Sequence, residues 1–367
     1  MRVTMIISSL GCGGAERVLS VMASYWAKGG GEITILTLDR EEPFYPLHPD
    51  VKRHALGLMA DSANPAAGLF RNMHRLRVLR GAIRDSRPDV VISFMDKNNV
   101  LTLLATRGLG FPVVVSERVD PSVYGIGRVW NFLRRHTYPH ADALVCQSMA
   151  SLAYFPSIPN AKRYVIPNPA LAPFAHEWGA GSDKSQEGGR LVVAMGRLVK
   201  QKGFDLLLAA FKAVSHRYPD WSLLILGEGP LRKPLEEQVR NLKLESRVQL
   251  PGQVSDPFSI LRRADLFVLS SRFEGFPNAL LESMAAGLPV ISFNCPSGPQ
   301  NIIRDGVDGV LVPAEDVDAL AAALDRLMGN QALRARLAGR APEVLERFGV
   351  EKVMRMWETV LRQMLSQ

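Results

Sequence analysis

An α/β fold built from two doubly wound domains is predicted by three features of the sequence. Short apolar runs rich in Val and Ile recur from end to end, and each is followed by a glycine-bearing turn and a longer segment of 3.6-residue period. The rhythm breaks once, between Pro167 and Gly189, where Pro167, Pro169 and Pro173 precede a Gly- and Ser-rich stretch with neither period. Apolar runs without strict alternation belong to strands covered on both faces, as parallel sheets require. The 367 residues also suit two domains at a prior of ~150 residues apiece.

The first strand is the Val3–Ile7 run, extended to Val3–Ser8, and the Gly11–Gly14 turn leads from it into an amphipathic helix, Glu16–Lys28. Strands at Glu32–Leu38, Val90–Phe94, Val113–Ser116 and Ala143–Gln147 follow, with helices at Gly68–Ser86, Val100–Arg107 and Val129–Tyr138. Past the break the rhythm restarts with strands Leu191–Met195, Trp221–Leu226, Val248–Leu250, Asp265–Leu269 and Pro289–Phe293. Between and after these lie helices Gly203–Arg217, Leu231–Leu242, Pro277–Ala286 and Asp316–Met328. The last segment, Gly349–Leu365, puts Val350, Val353, Trp357, Val360, Leu361 and Met364 on one stripe, which predicts a terminal helix docked on a domain. The expected division is residues 1–167, a linker 168–189, residues 190–345, and a C-terminal helical segment 346–367 packing back on the N-terminal domain.

Composition excludes several classes. At 47% hydrophobic and 22% charged, the chain is neither disordered nor fibrous. Its uncharged apolar stretches fall far short of the roughly 18–20 residues of a membrane-spanning helix. Arg2 and Val3–Ile7 imitate a signal peptide only loosely, since the apolar run is too short and a turn follows at once. Cys12, Cys146 and Cys295 have neither disulfide-framework nor zinc spacing, which fits a reducing cytosol. Forty-four basic against 36 acidic residues leave +8, favouring an anionic partner.

Three constellations carry chemistry. Gly11-Cys12-Gly13-Gly14-Ala15-Glu16 lies between the first strand and first helix, where amides and a helix N-terminus attract anions. A dinucleotide fingerprint would need a third Gly where Glu16 stands, although Asp39 sits where a ribose-binding acid is expected. After the break, Gly196-Arg197-Leu198-Val199-Lys200-Gln201-Lys202-Gly203 lets Arg197 and Lys202 converge on a phosphate at a helix start; a solvated basic loop is the alternative. The third, Phe273-Glu274-Gly275-Phe276-Pro277-Asn278-Ala279-Leu280-Leu281-Glu282, places Glu274 in the loop before a helix and Glu282 nearly two turns inside it. Two carboxylates beside first-turn amides suit a sugar nucleotide, with hydroxyls at both ends and an anion between; a capping acid and a surface glutamate are the alternative.

Taken together, GxGGAE, GRLVKQKG and the E-x7-E of FEGFPNALLE resemble, over essentially the whole chain, the GT-B fold, family 4 retaining glycosyltransferases. The resemblance implies two Rossmann-like domains facing a cleft, the first binding the acceptor and the second the nucleotide sugar. It implies donor binding by Gly13, Gly14, Arg197, Lys202, Glu274, Gly275, Phe276, Pro277, Asn278 and Glu282. Within that set Arg197 and Lys202 meet the diphosphate, Glu274 the donor sugar and Glu282 the ribose, and Glu274, Arg197 and Lys202 count as catalytic. No metal and no further cofactor is implied, and Asp316-Val317-Asp318, a formal DxD, reads as a helix N-cap. Many members carry a His at an N-domain strand end where this chain has Val115-Ser116-Glu117-Arg118, so Glu117 and Arg118 are candidates for lining the sugar pocket on the acceptor or membrane side, a salt-bridged loop being the alternative. Asn301 stands where similar chains often have Glu.

The first domain also carries Arg71, Arg75, Arg77, Arg80, Arg84 and Arg87 against Asp85, with Arg77, Arg80 and Arg84 on one helical face. Such a face suits anionic headgroups or a lipid-linked pyrophosphate, or is simply solvated. The region resembles enzymes that extend polyprenyl-diphosphate-linked glycans with N-acetylhexosamine. The expected activity is transfer from UDP-N-acetylhexosamine or UDP-hexose to a lipid-linked saccharide, at the cytoplasmic face of a membrane, with no nucleic-acid partner. A soluble acceptor, a silent nucleotide-sugar-binding subunit and, more distantly, a nicotinamide oxidoreductase are the alternatives.

Overall fold

The apolar runs of the first half assemble a parallel sheet of seven strands in the order β3-β2-β1-β4-β5-β6-β7. These are β1 (Arg2–Ile7), β2 (Glu32–Thr37), β3 (Lys52–Ala55), β4 (Val90–Phe94), β5 (Val113–Ser116), β6 (Ala143–Cys146) and β7 (Arg163–Val165). The connecting helices are α1 (Gly14–Lys28), α2 (Pro65–Ser86), α3 (Asp96–Thr106), α4 (Arg128–Thr137) and α5 (Met149–Ala153). The structure, a computed structural model, describes residues 1–59, 65–172 and 189–366; most of the expected linker, 173–188, falls outside the described residues.

A second parallel sheet has six strands ordered β10-β9-β8-β11-β12-β13. They are β8 (Arg190–Met195), β9 (Trp221–Leu226), β10 (Val248–Gly252), β11 (Leu266–Leu269), β12 (Val290–Asn294) and β13 (Val310–Pro313). Its helices are α6 (Phe204–Ser215), α7 (Arg232–Asn241), α8 (Pro257–Arg263), α9 (Asn278–Ala285), α10 (Pro299–Ile302), α11 (Val317–Gly329), α12 (Gln331–Arg340) and α13 (Val344–Phe348). The terminal helix α14 spans Val350–Leu365. The chain divides into one unit of Met1–Asn168 with Glu351–Gln367, and a second of Pro169–Val350.

In the first sheet the central strands β4, β5 and β6 are buried along their whole length. The second sheet is covered on one side by a cluster that includes Leu207, Phe211, Trp221 and Leu324, and on the other by one that includes Phe267, Leu281 and Met284. The apolar stripe of α14 is buried in the first unit: Trp357 is fully inaccessible and stacks on Phe94 of β4, ring centroids 6.3 Å apart. Residues 346–348, expected in the C-terminal helical segment, instead form with Val344 and Leu345 the separate α13, after which Gly349 N donates to Leu345 O at 2.7 Å.

Each sheet has a switch point where strand order reverses, β1 beside β4 and β8 beside β11. At such a point the connections leave in opposite directions and open a crevice at the carboxyl ends of the strands, where ligands bind in this architecture.

Candidate active site

The loops leaving β8 and β11 flank the second unit's switch point and hold two of the three predicted constellations. Lys200–Lys202 makes one 3-10 turn after β8, and Gly203 then adopts the left-handed conformation (φ +61°) that starts α6. A side chain there would strike the carbonyl oxygen of Ser270 at the end of β11, so glycine brings the two loops together. Further bonds fasten them: Ser270 Oγ donates to Lys202 O (2.9 Å), Arg272 N to Gln201 O (2.7 Å) and Gln201 Nε2 to Phe273 O (2.9 Å).

This joins residues 72 apart in sequence. Lys202 Nζ lies 2.6 Å from Glu274 Oε1, which also accepts from Ser271 Oγ at 2.6 Å. The Lys202 stem lies 3.1–3.2 Å from where a Cβ on Gly196 would stand, so a larger residue at the end of β8 would displace the ammonium. Side-chain exposure is 19% for Lys202 and 7% for Glu274, so the pair is largely desolvated and strongly coupled. Arg197, one residue beyond Gly196, is exposed, and its guanidinium has neither hydrogen bond nor ion pair among the described residues. A free cation beside a paired one makes a site for a polyanion.

The Glu274–Glu282 segment folds as a loop, a Pro277 cap and then α9. Glu282 is buried in the second turn of α9, at 3% exposure. Gly298 (φ +96°) packs on this loop, since a Cβ on it would lie 2.8 Å from Pro277 Cδ and 2.9 Å from Gly275 O. Phe276 contributes backbone only, because its ring is turned into the core edge-on to Phe348, centroids 5.3 Å apart. Asn278 opens the helix. Burial, with the charge of Glu274 adding to it, pushes the nearby Cys295 thiol up to about 12, which keeps it neutral.

Arg272 was visible in the sequence but had no assigned part. It grips Asp205 of α6 with two bonds (2.9 and 2.7 Å), Glu315 (2.9 Å) and Lys200 O (2.7 Å). Its guanidinium holds the Asp205 carboxyl below the usual carboxylate range. Arg272 is the clamp that positions the Lys202 loop, and its only sequence signal was its place just past a buried strand.

In the first unit, Gly13 caps α1 and Gly14 is its first residue, at the carboxyl end of β1. Asp39 is buried with Arg53 3.7 Å away. Glu117 and Arg118, expected to border an acceptor or membrane, are turned inward at 3% and 7% exposure. Glu117 Oε1 accepts from Tyr138 Oη at 2.5 Å with Arg134 at 3.7 Å, and burial raises its carboxyl to about 7. Arg118 lies flat over the Phe94 ring at 3.8 Å, donates to Asn168 Oδ1 at 3.0 Å, and is lowered by burial to about 9. Both side chains are thus engaged within the first unit.

Of Arg77, Arg80 and Arg84 on α2, Arg80 donates to Ala105 O and Arg107 O (2.8 Å each), tying α2 to the carbonyl end of α3. Arg84 is exposed beside Asp85 (3.5 Å), and Arg77 borders a cavity of about 600 Å³ between α2 and β1–β3. Asp316 caps α11 through Ala319 N at 2.8 Å. Among the described residues no group of three or more His, Cys, Asp or Glu is placed to hold a metal, and no helix is long and apolar enough to cross a membrane.

Comparison with known proteins places these features in a family. Residues 13–169 match the model of a glycosyl transferase 4-like domain, and residues 181–344 that of glycosyl transferases group 1. The chain is 30% identical over 363 residues to a Campylobacter jejuni α-1,4-N-acetyl-D-galactosaminyltransferase whose named substrate is a GalNAc-GalNAc-diNAcBac chain on PP-undecaprenol; the match covers 97% of each. A second Campylobacter jejuni enzyme, a diphospho-undecaprenol 4-α-N-acetylgalactosaminyltransferase, is 27% identical over 96% of each chain. Among solved structures, sucrose-phosphate synthase of Thermosynechococcus elongatus superposes with a TM-score of 0.83 at 19% identity, covering 100% of this chain and 99% of that one. Anabaena HepE in complex with UDP gives 0.78 at 18%, over 99% and 100%. These are GT-B folds, and the chain belongs to the group 1 glycosyl transferases: it is a glycosyltransferase.

Proposed function

We propose that the enzyme transfers an N-acetylhexosamine or hexose from a UDP-linked donor to a hydroxyl of a polyprenyl-diphosphate-linked saccharide, with retention at the anomeric carbon. One observation carries the reading: a largely buried Lys202–Glu274 pair lies at the switch point of the second sheet, on the same loop as the exposed Arg197, five residues before Lys202. In this reading Arg197 and Lys202 take the donor diphosphate, Glu282 the ribose, and Glu274 the donor sugar that reaches its carboxylate. The bond from the anomeric carbon to the diphosphate oxygen breaks as the acceptor oxygen bonds from the same face. The acceptor proton passes to the departing phosphate, and the two cations stabilise the charge that grows there. In this reading Gly13 and Gly14, in the turn that starts α1, lie near the donor phosphates. The Campylobacter relatives, matched over nearly their whole length, support the lipid-linked acceptor.

Peripheral membrane binding is part of the proposal. Val129 (71% exposed) and Phe132 (62%) stand one turn apart on α4 between the exposed Arg128 and Arg135, and Arg77 and Arg84 add exposed charge on α2. Apolar wedges flanked by cations suit an anionic bilayer surface.

The test offers UDP-, GDP- and ADP-sugars with polyprenyl-diphosphate-linked saccharides or soluble sugar phosphates as acceptors. The expected product is an α-linked extension of the lipid-linked saccharide, its configuration read by proton coupling at the new anomeric centre. Turnover only of soluble acceptors would overturn the acceptor class. An inverted product would overturn the stereochemistry. Sedimentation with phosphatidylglycerol vesicles checks the membrane arm: the Arg128→Glu/Arg135→Glu variant is expected to stay in the supernatant while still binding donor.

A further inference from the structure

We propose that Phe44 and Tyr45 form the platform on which a sugar ring of the acceptor is seated, a reading that rests on the proposed saccharide acceptor. Both residues lie in the loop after β2, outside the sequence of the glycosyltransferase motifs. The rings meet edge to face at 88°, centroids 5.0 Å apart, and make an aromatic corner. Phe44 is 38% exposed although no packing or hydrogen-bonding need holds a phenyl ring in solvent.

The corner is rigid and adjoins the first unit's switch point. Pro43 and Pro46 bracket the pair, which restricts the backbone on both sides. Phe44 N donates to Leu10 O (2.9 Å) at the end of β1, and His48 N to Ser24 Oγ (3.1 Å) on α1, so the loop is fastened at two points. Tyr45 Oη lies 3.8 Å from the Sγ of Cys12, inside the Gly11–Gly14 turn, and the Arg17 guanidinium stands 5.5 Å over the Tyr45 ring. The platform therefore flanks the glycine turn at the carboxyl ends of β1 and β2.

The chemistry selects a pyranose. One face of a hexopyranose presents C–H groups with a slight positive charge, which suit the negative face of an aromatic ring. A platform ordered before binding loses little entropy when the sugar arrives.

Two measurements test it on the full chain. In transfer assays, Phe44→Ala/Tyr45→Ala is expected to raise the acceptor KM by about tenfold with donor KM and donor hydrolysis unchanged, and Phe44→Tyr and Tyr45→Phe are expected to retain the wild-type acceptor KM. An unchanged acceptor KM, or a donor KM that rises equally, overturns the platform. In saturation-transfer NMR, irradiation of aromatic protons is expected to mark the ring protons of methyl N-acetyl-α-galactosaminide or methyl α-glucoside, and the double alanine variant to lose that signal. No marking by wild type, or marking undiminished in the variant, overturns the platform whatever the transfer assay shows. Marking that the variant loses, in an enzyme that extends no lipid-linked saccharide, supports a sugar platform and overturns the acceptor proposed above.

Discussion

Lys202 has one ammonium and two uses for it: the Glu274 carboxylate at 2.6 Å at rest, and the donor diphosphate in turnover. Glu274 keeps a bond from Ser271 when the lysine shifts, so its charge is not left wholly unpaired. Lys202→Ala is accordingly expected to lower kcat by roughly 10²- to 10³-fold, the size of an oxyanion-stabilising group, whereas Glu282→Ala chiefly raises donor KM; steady-state kinetics with varied donor separates the two. Glu117 gives a second prediction at this scale. Its carboxyl titrates near 7 in the folded protein because burial disfavours the anion, against ~4.3 when unfolded. The folded state then holds the proton more tightly, so this group's stabilisation is fully present below the unfolded value and is lost as pH rises through 7. Relative to Glu117→Gln, the wild-type melting temperature should fall from pH 5 to pH 8, by an amount equivalent to about 3 kcal/mol at most; parallel melting curves would refute it. The chemical residue types were legible because motifs name them. Their pairing was not, since Lys202 and Glu274 meet only when β8 and β11 become neighbours.

Among elements, the glycine that starts α6 does more than its helix requires. Gly203 combines a left-handed φ with contact against Ser270 O, so Gly203→Ala meets both backbone strain and a clash. The expected cost is ~2 kcal/mol or more, seen as faster hydrogen exchange over Lys200–Leu206 and a lower melting temperature, with Gly306→Ala, where the added Cβ has open space, losing less. The strands that escaped the sequence reading all lie at sheet edges. β3 (Lys52–Ala55) and β7 (Arg163–Val165) close the two edges of their sheet, and β13 (Val310–Pro313) closes an edge of the other. An edge strand is covered on fewer sides, so Lys52, His54 and Ala55 remain exposed and leave no apolar run to detect. The central strands were readable for the opposite reason: burial on both faces compels unbroken runs such as Val90–Phe94. On α2 the arginine spacing was legible, but the bond from Arg80 to the end of α3 depends on how the two helices lie together.

For the whole molecule, the first unit is assembled from two separated stretches of chain, Met1–Asn168 and Glu351–Gln367. Trp357 is the key contribution of the later stretch, stacked on Phe94 with the Arg118 guanidinium 5.6 Å from its ring. Trp357→Ala should therefore destabilise the first unit by about 3–5 kcal/mol and leave the second unit's calorimetric transition in place; a shift of the second transition alone would contradict the division. The terminal stripe of Val350 to Met364 announced a docked helix, but the aromatic and guanidinium stack that receives it joins β4, Arg118 two residues past β5, and α14, and no local pattern links those. The returning helix also sets an order of events during synthesis. Strands β1–β7 leave the ribosome first, yet the surface that takes Trp357 stays uncovered until the final residues follow, whereas Pro169–Val350 is complete earlier. The half made first is thus the half finished last, and a chain truncated shortly before Val350 and released should expose Phe94 to chaperones while its second sheet is folded.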